Sequence, residues 1–246
     1  MNLPLAVSAA VAGFVVGWGE RAVIVRYAVP AGDPPLRCCP SCGRHLPGIR
    51  QMALTPSARC SACGLRAGPP PRAVEVTTAL LFGGLAARVH PGLVLAAACW
   101  LALCSVPLAF IDAAVRRLPD VLTGTAFGGS ALLLLAAAAA GGHWHVLARA
   151  VLGSVALVGF YLVLALISPS GMGMGDVKAA ASLGIMLAWL GWTALIAGGF
   201  AGFLFAAVYG IALVMSGRAT RKHRIPFGPF MIAGAFLVIL ASPVGS

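Results

Sequence analysis

The sequence predicts an all-α, polytopic membrane protein of about eight transmembrane helices with a small cytoplasmic, Cys-rich, zinc-ribbon-like loop. Three observations lead there. Of 246 residues, 60% are hydrophobic and 9% charged, against roughly 25% charged in a soluble domain, and the mean hydropathy is +0.97. Apolar runs near the roughly 20 residues that cross a bilayer recur along the chain. Basic residues fall almost wholly in alternate loops.

The apolar runs occupy 3–18, 73–89, 92–112, 121–140, 146–167, 177–190, 192–215 and 227–244. The first reads as a span rather than a cleavable signal, because no basic stretch precedes it. Run 177–190 is the shortest, and Gly191 alone divides it from the next. With the first helix running inward, 15 of the 17 Lys and Arg residues lie on one side: those from Arg21 to Arg72, Arg116 and Arg117, Lys178, and those from Arg218 to Arg224. Only Arg88 and Arg149 lie on the other. The positive-inside rule then places loops 19–72, 113–120, 168–176 and 216–226 in the cytoplasm and both termini outside. A missed or extra crossing would swap the sides of later loops and destroy the asymmetry, so the split supports the count. The net charge of +11 is thus a topology signal, with contact to anionic lipid second, and no nucleic-acid partner is expected.

Three segments follow: a first helix at 1–18, a cytoplasmic Cys-rich loop at 19–72, and a membrane-embedded domain at 73–246. Small residues, as in Ala136 to Gly142 and Gly198–Gly199, let membrane helices approach closely. The loop is too short for a large apolar core and calls for a metal or disulfides. Cys39 and Cys42, then Cys60 and Cys63, form two C-x2-C pairs separated by 17 residues, the spacing of a four-thiolate zinc site. Gly43 and Gly64 follow the pairs and free the backbone to turn. Disulfides and unligated thiols are the alternatives, and a reducing compartment disfavours the former. Cys38 and His45 are neighbours without an assigned ligand role, and Cys99 and Cys104 are small packing residues.

The chain has six acids: Glu20, Asp33, Glu75, Asp112, Asp120 and Asp176. An ionisable group in or at the end of a membrane helix is costly, so it marks a functional site. Two crossings separate Asp112 from Asp176, which returns the chain to the same face and lets the carboxylates meet. Such a pair shares one proton. One carboxylate can then take a proton from water while the other carboxyl polarises a scissile carbonyl. By helix polarity Asp176, at a helix start, is expected to be the base, and Asp112, at a helix end, the acid. Glycines alternate before Asp176, at Gly171, Gly173 and Gly175. They allow unusual backbone angles or close approach of an extended substrate chain, with Lys178 beside them, although a flexible turn and a charge anchor explain the same residues. Asp120 is expected to cap its helix and Glu75 to form an interfacial ion pair. His143 and His145 flank Trp144 in an interfacial turn.

Taken together, these motifs resemble a known family. Ile111 to Thr123 is similar to the first aspartate motif of the type IV prepilin peptidases, Gly171 to Lys178 to their G-x-G-D motif, and Ile225 to Phe230 to their C-terminal motif. The paired C-x2-C loop and the Pro71 to Leu80 stretch with Glu75 are also similar. The resemblance implies a membrane aspartyl endopeptidase of the bacterial inner membrane, formed by domain 73–246. It would cleave the basic leader from type IV prepilin or pseudopilin precursors on the cytoplasmic side, then methylate the new N-terminus with S-adenosylmethionine. It implies Asp112 and Asp176 as catalytic residues and Cys39, Cys42, Cys60 and Cys63 as metal ligands, while the glycine reading above makes Gly173, Gly175 and Lys178 the candidate substrate-binding residues. The departures from the family, in the Gly43 to Arg59 spacer and around Glu20 and Arg21, fall in the N-terminal region with which methyl transfer is associated. Two other readings of the residues are a proton- or cation-coupled transporter using the intramembrane aspartates and a metal-binding membrane scaffold.

Overall fold

The computed structural model describes residues 3–30, 32–39, 41–45, 60, 62–64, 68–70, 72–168, 172–217 and 226–242. Within them every apolar run is a helix: α1 (Leu3–Tyr27), α2 (Ala73–Arg88), α3 (Leu93–Val115), α4 (Asp120–Gly141), α5 (Trp144–Ile167), α6 (Met174–Leu190), α7 (Trp192–Met215) and α8 (Gly228–Ala241). Five of these, α1, α3, α4, α5 and α7, are long and apolar enough to cross a membrane, while α8 is a shorter apolar helix. At 1.5 Å per residue, the 17 residues of α6 reach about 26 Å, close to the roughly 30 Å of a hydrocarbon core. Gly171, Pro71, Ile225, the Arg218 to Arg224 cluster and most of the Gly43 to Arg59 spacer lie outside the described residues.

The apolar run at 3–18 understates α1, which continues nine residues to Tyr27. Glu20 and Arg21, the first charges beyond the apolar run, are buried. Arg21 Nη2 lies 2.6 Å from both carboxylate oxygens of Glu75, and the Thr78 hydroxyl donates to Glu20 Oε2 at 2.5 Å. Glu75 thus makes the ion pair expected of it, with a partner supplied by the segment assigned to the loop. Paired charges can be buried where single ones cannot, so the helix has no reason to stop at them. α1 can reach α2 this closely because Gly17 lies on the Glu75 backbone, where a Cβ would fall 2.6 Å from the Glu75 Cα.

The centre of the bundle is α6. Its residues from Val177 to Trp189 are almost all buried, enclosed by α3, α4, α5, α7 and α8. Side chains on the outer helices point the other way: Val7, Val11 and Val15 of α1, Leu152, Val155 and Leu166 of α5, and Ile196, Phe200 and Ile211 of α7 are exposed. A water-soluble protein rarely exposes so much contiguous apolar surface, whereas lipid covers it without cost. The inward face at the start of α6, which carries Asp176 and Val177, is therefore held in the protein interior near the end of the bundle, while Met174 and Lys178 point outward.

Candidate active site and metal centre

Asp112 sits in the last turn of α3, and Asp176 is the third residue of α6. Both are buried, with 5% and 7% of their surface exposed, which is rare for a carboxylate without a nearby partner. They lie close enough to interact electrostatically. Each accepts one backbone N–H. Gly173, the N-cap of α6, donates to Asp176 Oδ2 at 3.1 Å, and Gly228, the first residue of α8, donates to Asp112 Oδ2 at 3.0 Å. Asp176 Oδ1 has no hydrogen-bond partner among the described residues.

The Gly228 bond changes one expectation. Asp112 does end α3, but it also faces the N-terminus of α8, whose orphan N–H groups favour negative charge. Both aspartates therefore sit at a helix N-terminus, and helix polarity does not separate acid from base. The sequence could not reveal this, since residues 112 and 228 are far apart in the chain.

Of the alternate glycines, Gly175 is required by a close approach and Gly173 is not. Gly175 packs on Leu118, where a Cβ would lie 2.9 Å from the Leu118 Cβ, and it has no positive φ. A Cβ on Gly173 would meet little beyond Asp176 itself, with Oδ2 at 3.6 Å, so one side of this residue is open. Asp120 is not a helix cap. It is the first residue of α4, the cap position belongs to Pro119, and its carboxylate pairs with Lys178 at 2.7 Å. Lys178, one turn after the start of α6, is a stronger partner for that carboxylate than the helix's own N–H groups. Both side chains are largely solvent-exposed, so the pair contributes at most about 1 kcal/mol.

The four thiols assemble as a second centre. Sγ atoms of Cys39, Cys42, Cys60 and Cys63 all lie within 4.8 Å of one another, with Cys39 to Cys63 and Cys42 to Cys60 both 3.6 Å. A tetrahedral ion with bonds of about 2.3 Å to sulfur requires sulfurs about 3.8 Å apart. These separations fit a metal and are far too long for disulfides. The two C-x2-C turns are built alike. The N–H of Gly43 bonds the Cys39 carbonyl and that of Gly64 the Cys60 carbonyl, each at 2.9 Å, and both glycines take left-handed angles, φ +67° and +69°. Backbone N–H groups aimed at the sulfurs hold two thiols below their usual range: Ser41 and Cys42 act on Cys39, and Cys63 and Ala62 pull Cys60 down to about 6. Against the pull of the Arg44 N–H, Cys42 is pushed the other way, to about 11, by desolvation and the neighbouring thiols, and a bound divalent cation would draw it to thiolate with the others. Cys38 stays outside the cluster, with its sulfur 3.7 Å from His45 Nδ1.

Comparison with known proteins follows the same lines. Residues 94–211 match the type IV leader peptidase family. The chain is 33% identical over 218 residues to the prepilin leader peptidase/N-methyltransferase of Aeromonas salmonicida (strain A449), covering 84% of this chain and 71% of that one. The chain belongs to the type IV leader peptidase family. Proteins of the same name from Burkholderia pseudomallei (strain K96243) and Bacillus subtilis (strain 168) are 31% and 29% identical, covering 81% and 84% of this chain and 65% and 82% of theirs. No solved structure matches. As a leader peptidase the chain is a hydrolase, and its apolar helices make it a membrane enzyme.

Proposed function

We propose that this leader peptidase is an aspartyl endopeptidase that removes the basic leader from type IV prepilin-like precursors at the cytoplasmic face of the bacterial inner membrane, with Asp112 and Asp176 as its catalytic pair. The observation that carries the reading is the pairing of two buried carboxylates, each fixed by one backbone N–H, at one end of the bundle. Two carboxylates this close hold one proton between them. The ionised member takes a proton from water as the water oxygen attacks the scissile carbonyl carbon. The protonated member gives its proton to the carbonyl oxygen. As the tetrahedral intermediate collapses and the C–N bond breaks, the leaving amine takes the proton first drawn from water, a hydroxyl of the intermediate gives its proton to the other carboxylate, and the shared-proton state returns. The substrate backbone passes the open side of Gly173 and then Gly175, with Lys178 at the rim.

Loop sidedness rests on the distribution of basic residues, as does the division into an inward-running first helix, a Cys-rich loop and the peptidase domain. Purified wild type is expected to release the leader from a prepilin peptide, and the aspartate variants discussed below are not. No release by wild type, with proton uptake that depends on the same aspartates, would favour the transporter instead.

The four-thiol centre holds a structural zinc. Four thiolates at tetrahedral spacing select this metal, which supplies the cross-link that a loop without a core needs. Cys60→Ser is expected to purify with zinc well below one per chain, measured by elemental mass spectrometry, while wild type carries one.

S-adenosylmethionine is implied by the methyltransferase named in the relatives. One cavity among the described residues, about 680 Å³ and lined in part by His90, His143, Arg149 and Trp189, opens at the other end of the helices from both aspartates. It does not fit a cofactor that must reach an amine freed at Asp112 and Asp176, and no step is routed through it. Mass spectrometry of the processed N-terminus reads methyl transfer directly.

A further inference from the structure

Tyr161 is the largest fully buried side chain among the described residues, and the carboxylate mechanism above does not use it. It lies nearly two turns from the end of α5 that leads to α6. Its ring is clasped by Phe203 of α7, at 5.6 Å between centroids, and by Phe227, at 5.9 Å. Phe227 directly precedes Gly228, whose N–H holds Asp112. The ring is therefore built into the wall of the aspartate site through the same turn that positions one of the aspartates.

Its hydroxyl is the unusual part. Buried tyrosine O–H groups find a hydrogen-bond partner as a rule, yet this one has none among the described residues. Asp176 Oδ1, within electrostatic range of it, is also buried and without a partner. A phenol can donate one hydrogen bond, and a carboxyl oxygen can accept one or, when protonated, donate one. Two buried polar atoms left without partners, within electrostatic range of each other on helices packed side by side, could both be satisfied by one small polar group. The group that the reaction brings there is the scissile carbonyl with its attacking water.

We propose that Tyr161 is a third catalytic residue, whose O–H donates a hydrogen bond to the scissile carbonyl oxygen and strengthens it as that oxygen gains negative charge. The phenol keeps its proton throughout. The proton that neutralises the oxygen comes from the protonated aspartate, so the balance of the hydrolysis is unchanged. The inference rests on the aspartate pair as the catalytic centre. It goes beyond that reading in assigning a donor aimed at the developing oxyanion, a contact that acts mostly in the transition state.

Tyr161→Phe removes one oxygen and keeps the ring in its cage. With a prepilin peptide, its kcat is expected to fall about 10²-fold, with KM within about twofold, because a donor used only in the transition state leaves ground-state binding alone. The thermal midpoint should not fall, since the hydroxyl makes no hydrogen bond among the described residues. Asp112→Asn and Asp176→Asn are measured in parallel. If both are inactive and Tyr161→Phe keeps wild-type kcat, the tyrosine proposal is overturned and the aspartate reading stands. If either aspartate variant keeps wild-type activity, both fail. A rise in KM alone, or a Tyr161→Phe protein that does not fold, would also overturn the proposal, by showing a binding or structural role for the hydroxyl.

Discussion

Asp112→Asn and Asp176→Asn should each reduce leader release by about 10³-fold or more, and the double variant should be little worse than either alone. Asparagine keeps the shape and can still accept the backbone N–H at Oδ1, so the bonds from Gly228 and Gly173 can survive and the fold with them. What is lost is the proton that moves. An acid and a base that act in one step contribute as a unit, and removing either leaves the other without its counterpart. Independent roles, such as substrate anchoring by one aspartate, would make the losses multiply. Initial rates for the three variants and wild type, measured on one precursor peptide, distinguish the two outcomes.

Gly228→Ala is expected to produce the next largest loss, about 10²-fold in kcat, with little change in stability. A Cβ at residue 228 would lie 2.8 Å from Asp112 Oδ2 and 3.1 Å from its Cγ. The backbone there has no positive φ, so alanine brings no conformational strain. The atoms in the way are the end of a short side chain, and the carboxylate is the part free to move. Its displacement spoils the pairing with Asp176 while leaving the helices packed, and a shift of about 1 Å in a reacting group can cost about 10²-fold. Unchanged kcat in a folded Gly228→Ala protein would mean that the position of Asp112 does not limit the reaction.

The sequence made the helices legible because each apolar run is bounded by loops of different composition, and lipid-facing residues leave no polar stripe to confuse the reading. The thiol cluster was legible from spacing, since two C-x2-C turns can bring four sulfurs together in few other ways. Parity of crossings put Asp112 and Asp176 at one end of the bundle, where the structure has them interacting. Burial was not legible. Glu20 and Arg21 look like the start of a loop until Thr78 and Glu75 are seen opposite them. Tyr161 stands in an apolar run, where nothing marks one tyrosine as facing inward. Gly228 stands out in the sequence only as part of a motif, because its use is a bond to a residue more than a hundred positions away. Asp120 reads as a cap in the sequence because its partner, Lys178, comes from another helix. In each case a tertiary contact decided what a local signal could not.

The most direct test of the central claim is a proximity measurement between the aspartate positions themselves. Asp112→Cys and Asp176→Cys would be combined in a protein whose Cys38, Cys99 and Cys104 are replaced by alanine, with the zinc thiolates shielded by their metal. The protein would then be treated with a short bifunctional thiol reagent and cut in the loop between α4 and α5. Fragments that remain joined, only when both new cysteines are present, are the predicted result. Fragments that separate, with the two positions modified by impermeant reagents from opposite sides of the membrane, would contradict a shared-proton pair.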